Sequence, residues 1–199
     1  MAMSTASRSG VFLAGLILAG VCGLGTVRAQ DKPAGGDAPP EIRMSRMEFE
    51  SGGKSIPAEL YEPKGEGKHP AVVVVHGADG MQNALIRLYY RNLATELARH
   101  GYLAILPHYF DRTDTKAAAD RKTMGANFVP WMRTLGDAVS LLEKRPDVDA
   151  ARIGLVGLSL GAYLSIANGA YDPRVKAVVE YFGGVLPQVV ARELAGRPR

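Results

Sequence analysis

The sequence predicts an α/β domain, a mostly parallel sheet with helices on both faces. Three observations carry that prediction. Ala71-Val72-Val73-Val74-Val75 is a run of mainly β-branched side chains without polar alternation, as in a strand buried on both faces. Strand-length apolar runs then alternate with helical spacing three times, the pattern of parallel strands joined by right-handed helical crossovers. Last, Gly157-Leu158-Ser159-Leu160-Gly161 joins an apolar strand directly to a helix of small residues.

Taken in order, Ile42 to Phe49 and Ile56 to Tyr61 flank Ser51-Gly52-Gly53-Lys54-Ser55, an entry hairpin. Pro63 to Pro70 is a polar loop before the valine strand, and His76-Gly77-Ala78-Asp79-Gly80 closes that strand. Ile86, Tyr90, Leu93 and Leu97 recur at helical spacing, and Gly101 stops the helix. Tyr102 to Leu106 is the next buried strand. A charged loop from His108 to about Gly125 follows, then an amphipathic helix over Phe128 to Leu142 that must tolerate Pro130 and Gly136. Ile153 to Val156 is the strand before the serine, Ala162 onward its helix, and Val175 to Tyr181 a further apolar strand.

The 199 residues, 47 % of them apolar, suit one globular domain over 42–199. Residues 1–29 read as a signal peptide: Arg8 supplies the charge, Val11 to Val21 the apolar core, and Val27-Arg28-Ala29 a small-x-small cleavage site. An uncleaved anchor is the alternative, and it is the one route to a membrane partner. Residues 30–41, rich in Pro, Gly, Ala and Asp, form a flexible linker. The expected destination is periplasmic or secreted. Cys22, the only cysteine, leaves with the leader, so no disulfide framework, Cys nucleophile or thiolate metal site is expected. The leader also takes Arg8 and Arg28 and no acid, which lowers the formal charge from +4 to +2. The remaining charges are scattered without interleaved aromatics, so no nucleic-acid partner is expected.

The chemistry gathers at the carboxyl ends of the parallel strands. A serine between two glycines at a strand-to-helix turn is a nucleophile elbow. The missing Cβ atoms let strand and helix close on a strained serine, and the amide of Leu160 stands free at a helix N-terminus. Gly77 and Ala78, in the loop after the valine strand, offer the second oxyanion donor. His76 reads as a residue that orients this loop, or else as a base. His108 and Tyr109 read as pocket lining or as loop anchors. Glu180 reads as a charged strand end or as the acid of a triad.

Val72 to Gly77, Leu106-Pro107-His108-Tyr109-Phe110-Asp111-Arg112-Thr113, the elbow, and Tyr181-Phe182-Gly183-Gly184 together resemble the dienelactone hydrolase family of α/β-hydrolases. The resemblance runs from about Arg43 to Gly184. It implies an enzyme that cleaves ester or lactone carbonyls on a small-molecule substrate without a cofactor. Two positions depart from the better-known members: Ser159 stands where they carry cysteine, and Gly77 where they carry glutamate.

A third departure concerns the base. In this superfamily an acid and then a histidine follow the serine. Histidines stand only at 69, 76, 100 and 108, and 40 residues follow Ser159. The expectation is a sequence cut short before the last strands. The alternatives are a shortened relative using His76 or His108, and a non-catalytic remnant. Three functions follow: an exported serine hydrolase, a binding protein on the same fold, and a dinucleotide-binding domain using Gly154, Gly157 and Gly161.

Overall fold

The computed structural model describes residues 41–184 apart from Ala119. The leader, most of the linker and the final residues of the chain lie outside that range, so those readings stand as expectations. The strands are β1 (Ile42–Ser51), β2 (Lys54–Pro63), β3 (His69–Val75), β4 (Leu103–Pro107), β5 (Val148–Leu158) and β6 (Val175–Tyr181). The helices are α1 (Ala84–Arg99), α2 (Arg121–Glu143) and α3 (Leu160–Tyr171). The sheet order is β1-β2-β4-β3-β5-β6. β1 and β2 form the expected hairpin, with Gly52 and Gly53 both at positive φ, and β2 runs antiparallel to β4. From β4 through β3 and β5 to β6 every pairing is parallel.

The central strand shows why an unbroken valine run is needed. Ala71, Val73 and Val75 point into the core under α2 and α3, whereas Val72 and Val74 meet α1. β4 repeats the pattern, with Leu103 and Ile105 on one face and Ala104 and Leu106 on the other. With no wet face on either strand, nothing favours polar alternation. Each Å² of apolar surface these strands bury stabilises the sheet by roughly 25 cal/mol.

Several boundaries differ from the sequence reading: β5 begins at Val148, five residues before Ile153, β3 begins at His69 within the expected loop, and α2 begins well before Phe128. α2 starts at Arg121, because the Asp120 carboxylate accepts hydrogen bonds from the Thr123 amide and hydroxyl, both at 2.8 Å. That cap satisfies an N-terminal amide and draws the helix into what reads as loop. Pro130 therefore lies inside the helix and leaves one carbonyl without its usual N–H. The same loop holds a short 3-10 turn over Tyr109–Thr113, pinned by Trp131 Nε1 donating to Thr113 Oγ1 at 2.8 Å.

Candidate active site

Ser159 sits between β5 and α3 with φ 53° and ψ −115°, a conformation that costs a non-glycine residue about 1–3 kcal/mol. Its neighbours hold it there. A Cβ at Gly157 would lie 2.1 Å from the Gly161 carbonyl oxygen, and one at Gly161 would lie 2.2 Å from that of Val75. The two glycines thus let α3 seat directly on β3 and β5. The Ser159 amide donates to the Tyr181 carbonyl at 2.8 Å, which ties the turn to β6. The side chain is exposed, and its hydroxyl neither caps α3 nor hydrogen-bonds any described residue. A serine at a helix N-cap normally spends its hydroxyl on the helix amides. This one is free for chemistry.

The loop after β3 abuts the serine: the point where a Gly77 side chain would begin is 3.5 Å from Ser159 Cβ. Its two candidate donors differ. The Gly77 amide donates to the Tyr90 hydroxyl at 2.7 Å and is therefore unavailable to an oxyanion, which corrects the expectation for that residue. The Ala78 amide has no partner among the described residues, and neither has that of Leu160 at the start of α3. The Ala78 carbonyl is braced by the Ala118 amide at 2.8 Å, so the loop after β4 supports the loop after β3.

His76 is 1 % exposed, stacks on Tyr109 with ring centroids 4.0 Å apart, and places Nδ1 2.9 Å from the Gly77 carbonyl. A carbonyl only accepts, so Nδ1 carries the proton. Burial drives the imidazole pKa down to about 3, against a smaller upward pull from the Gly77 carbonyl. A neutral ring bound to its own loop is an anchor, and the base reading of His76 falls. Tyr109 is fully buried and donates to the His76 carbonyl at 2.8 Å, so it too is an anchor.

His108 does face a cavity, of about 640 Å³, shared with Arg46, Glu59, Met81, Arg87 and Arg91. Ser159 is not among its lining residues. His108 Nε2 stands 3.5 Å from Glu59 Oε1, too far for a good hydrogen bond. Glu59 itself is 4 % exposed and receives Arg91 at 2.6 and 2.8 Å and Tyr61 at 2.9 Å. Burial raises its carboxyl pKa, and the approach of His108 with the Arg91 and Tyr61 hydrogen bonds outweighs this, to about 2. Nothing in its local sequence pattern singles out this buried carboxylate on β2; only the pairing of β2 with β4 and α1 creates its setting. Glu180 accepts the Gly183 amide at 2.7 Å and closes its own turn around Phe182, which has φ 57°.

The glycines also decide against dinucleotide binding. The spaces at Gly157 and Gly161 are filled by protein backbone, and Gly154 faces the Ala177 carbonyl at 3.1 Å, so no pyrophosphate cradle exists there.

The dienelactone hydrolase family model matches residues 56–196. The chain belongs to the dienelactone hydrolase family. The "Putative carboxymethylenebutenolidase" of Salmonella typhi is 31 % identical over 140 residues, covering 67 % of this chain and 50 % of that protein. That of Escherichia coli strain K12 matches to the same extent. The chain thus spans about half the length of these curated relatives. Among solved structures, the "Putative Dienelactone Hydrolase" from Klebsiella pneumoniae superposes with a TM-score of 0.60 at 26 % identity, covering 74 % of this chain and 62 % of that one. The family fold is therefore the α/β-hydrolase fold, and the family's activity is ester or lactone hydrolysis.

Proposed function

We propose that this chain carries the nucleophile and oxyanion hole of an exported serine hydrolase that cleaves esters or lactones. One observation carries the reading: the exposed Ser159 hydroxyl on its strained turn, like the amides of Leu160 and Ala78, has no hydrogen-bond partner among the described residues. Ser159 Oγ attacks the carbonyl carbon, and the two amides receive the charge that develops on the carbonyl oxygen. The alcohol or ring oxygen leaves, and water then cleaves the acyl-enzyme. The family membership supports the reaction class. The proposed export rests on the charged, apolar and small-residue segments of 1–29.

The proton on Ser159 needs an acceptor. None of the four histidines hydrogen-bonds Ser159: His76 is committed to Gly77, His108 faces Glu59, His69 begins β3 and His100 ends α1. This observation favours a second reading, a binding protein that keeps the fold without turnover. A fluorophosphonate probe separates the two. The hydrolase labels at Ser159, and Ser159→Ala abolishes the label; a folded wild-type chain that stays unlabelled supports the binding protein. N-terminal sequencing of the exported product tests the leader, with Gln30 as the expected first residue.

A further inference from the structure

Tyr90 lies on α1, has no part in the reaction outlined above, and is 2 % exposed. Its hydroxyl accepts the Gly77 amide at 2.7 Å, and its own proton has no acceptor among the described residues. The point where a Gly77 side chain would begin is 3.2 Å from this hydroxyl and 3.5 Å from Ser159 Cβ, so phenol and nucleophile border the same small space. Burial raises the phenol pKa, which keeps the group neutral.

The loop's peptide planes explain what the contact does. A trans peptide sets its C=O and N–H in opposite directions, so fixing one fixes the other. The Gly77 carbonyl is held by His76 Nδ1 at 2.9 Å and by the Gly80 amide at 3.1 Å. That plane carries the Ala78 amide. The preceding plane carries the Gly77 amide, held by Tyr90, and the His76 carbonyl, held by the Tyr109 hydroxyl at 2.8 Å. Both planes are clamped at both ends except at one group, the Ala78 N–H. Without Tyr90, the Gly77 amide loses its acceptor and the first plane is held by the Tyr109 clamp alone, which loosens the loop that carries the Ala78 amide.

Resting on the proposed hydrolase reading, we infer that Tyr90 is a positioning residue of the oxyanion hole: by taking the Gly77 amide out of use, it leaves the Ala78 amide as the one donor of this pair without a partner among the described residues. The phenol touches no substrate and acts through the backbone.

The test compares full-length wild type, Tyr90→Phe and Tyr89→Phe. Tyr89 is the half-exposed neighbour on the same helix, and its hydroxyl makes no hydrogen bond among the described residues. The first readout is phosphonylation of Ser159 by a fluorophosphonate, in which an O–P bond forms and fluoride leaves with the serine proton. Losing one oxyanion donor outright costs about 10²–10³ in rate. A misdirected donor costs less, so Tyr90→Phe is expected to slow the maximal labelling rate about ten- to hundredfold at unchanged half-saturating probe. Tyr89→Phe matches wild type. Equal maximal rates for Tyr90→Phe and wild type overturn the inference, as does a change confined to half-saturation. The second readout is amide hydrogen exchange at Gly77 by NMR, which needs no reaction. Exchange at least tenfold faster in Tyr90→Phe supports the clamp. Should wild type fail to label, the hydrolase reading falls by itself, and equal Gly77 exchange in both proteins then overturns the role of Tyr90 as well.

Discussion

Gly161→Ala isolates the feature on which the elbow depends. The added Cβ would lie 2.2 Å from the Val75 carbonyl oxygen, 2.6 Å from that of His76 and 2.8 Å from the Val75 carbonyl carbon. All three are backbone atoms of β3 and its end, in the middle of the sheet, so they cannot rotate aside. Overpacking of a core usually costs about 1–3 kcal/mol when side chains can yield. Here the strand or the helix has to move, and the upper end, about 3 kcal/mol, is expected. For a domain of this size that lowers Tm by about 6–12 °C. Gly125→Ala is the matched control. Gly125 also lies within a helix, α2, but nothing stands within 4 Å of its added Cβ. There alanine gains about 0.5–1 kcal/mol from helix propensity. The same chemical change therefore has opposite signs at the two sites. Urea unfolding of the three proteins, followed by circular dichroism, measures both. A Gly161→Ala protein as stable as wild type would refute the close approach of α3 to β3, and the geometry of Ser159 with it.

Ser159→Gly is expected to abolish probe labelling while raising stability by about 1–3 kcal/mol, because glycine adopts φ 53° without strain; the same urea titration reads the gain, and a loss would contradict the strain. His76 makes stability pH-dependent. Its folded pKa of about 3 lies below the ordinary 6.5, so between those values the unfolded chain binds the extra proton. Its contribution is fully present above pH 6.5 and is lost as pH falls through 6.5 towards 3. Melting curves should shift downward by several degrees between pH 7 and pH 4, and His76→Asn should flatten that slope. Arg91→Ala removes the two guanidinium bonds to buried Glu59 and should cost about 2–3 kcal/mol, less than for a fully buried pair because Arg91 is one-third exposed. Thermal melts of Arg91→Ala and of the double variant with Glu59→Gln check it: restoring a neutral group should recover part of the loss.

Much of this molecule is legible where the physical cause is local. The nucleophile elbow needs two small residues flanking a serine at fixed spacing, so five letters and their flanks reveal it. The valine strand was readable for the same reason, since burial on both faces imposes an unbroken apolar run; β6 was readable from its apolar residues alone, and most of its side chains are exposed. The start of α2 was also written locally, in the Asp120–Thr123 cap, but the loop's charge and Pro130 concealed it. The roles of the aromatic residues were not local. Tyr109 sits beside a histidine in a charged loop and reads equally as pocket lining or loop anchor; only the fold, which packs it under β3 against His76 and Trp131, decides for the anchor.

The sequence by itself determined the alternation of strands and helices, the parallel core and the serine at its corner, because each follows from side-chain size and spacing along a short stretch of chain. Only the tertiary structure decided which loop amide stays free. That choice lies between Gly77 and Ala78, adjacent in the chain, and it is made by a hydroxyl thirteen positions away from Gly77, on the far side of a helix turn. Hydrogen-bond acceptors brought together by packing leave no periodic mark on the chain that carries them.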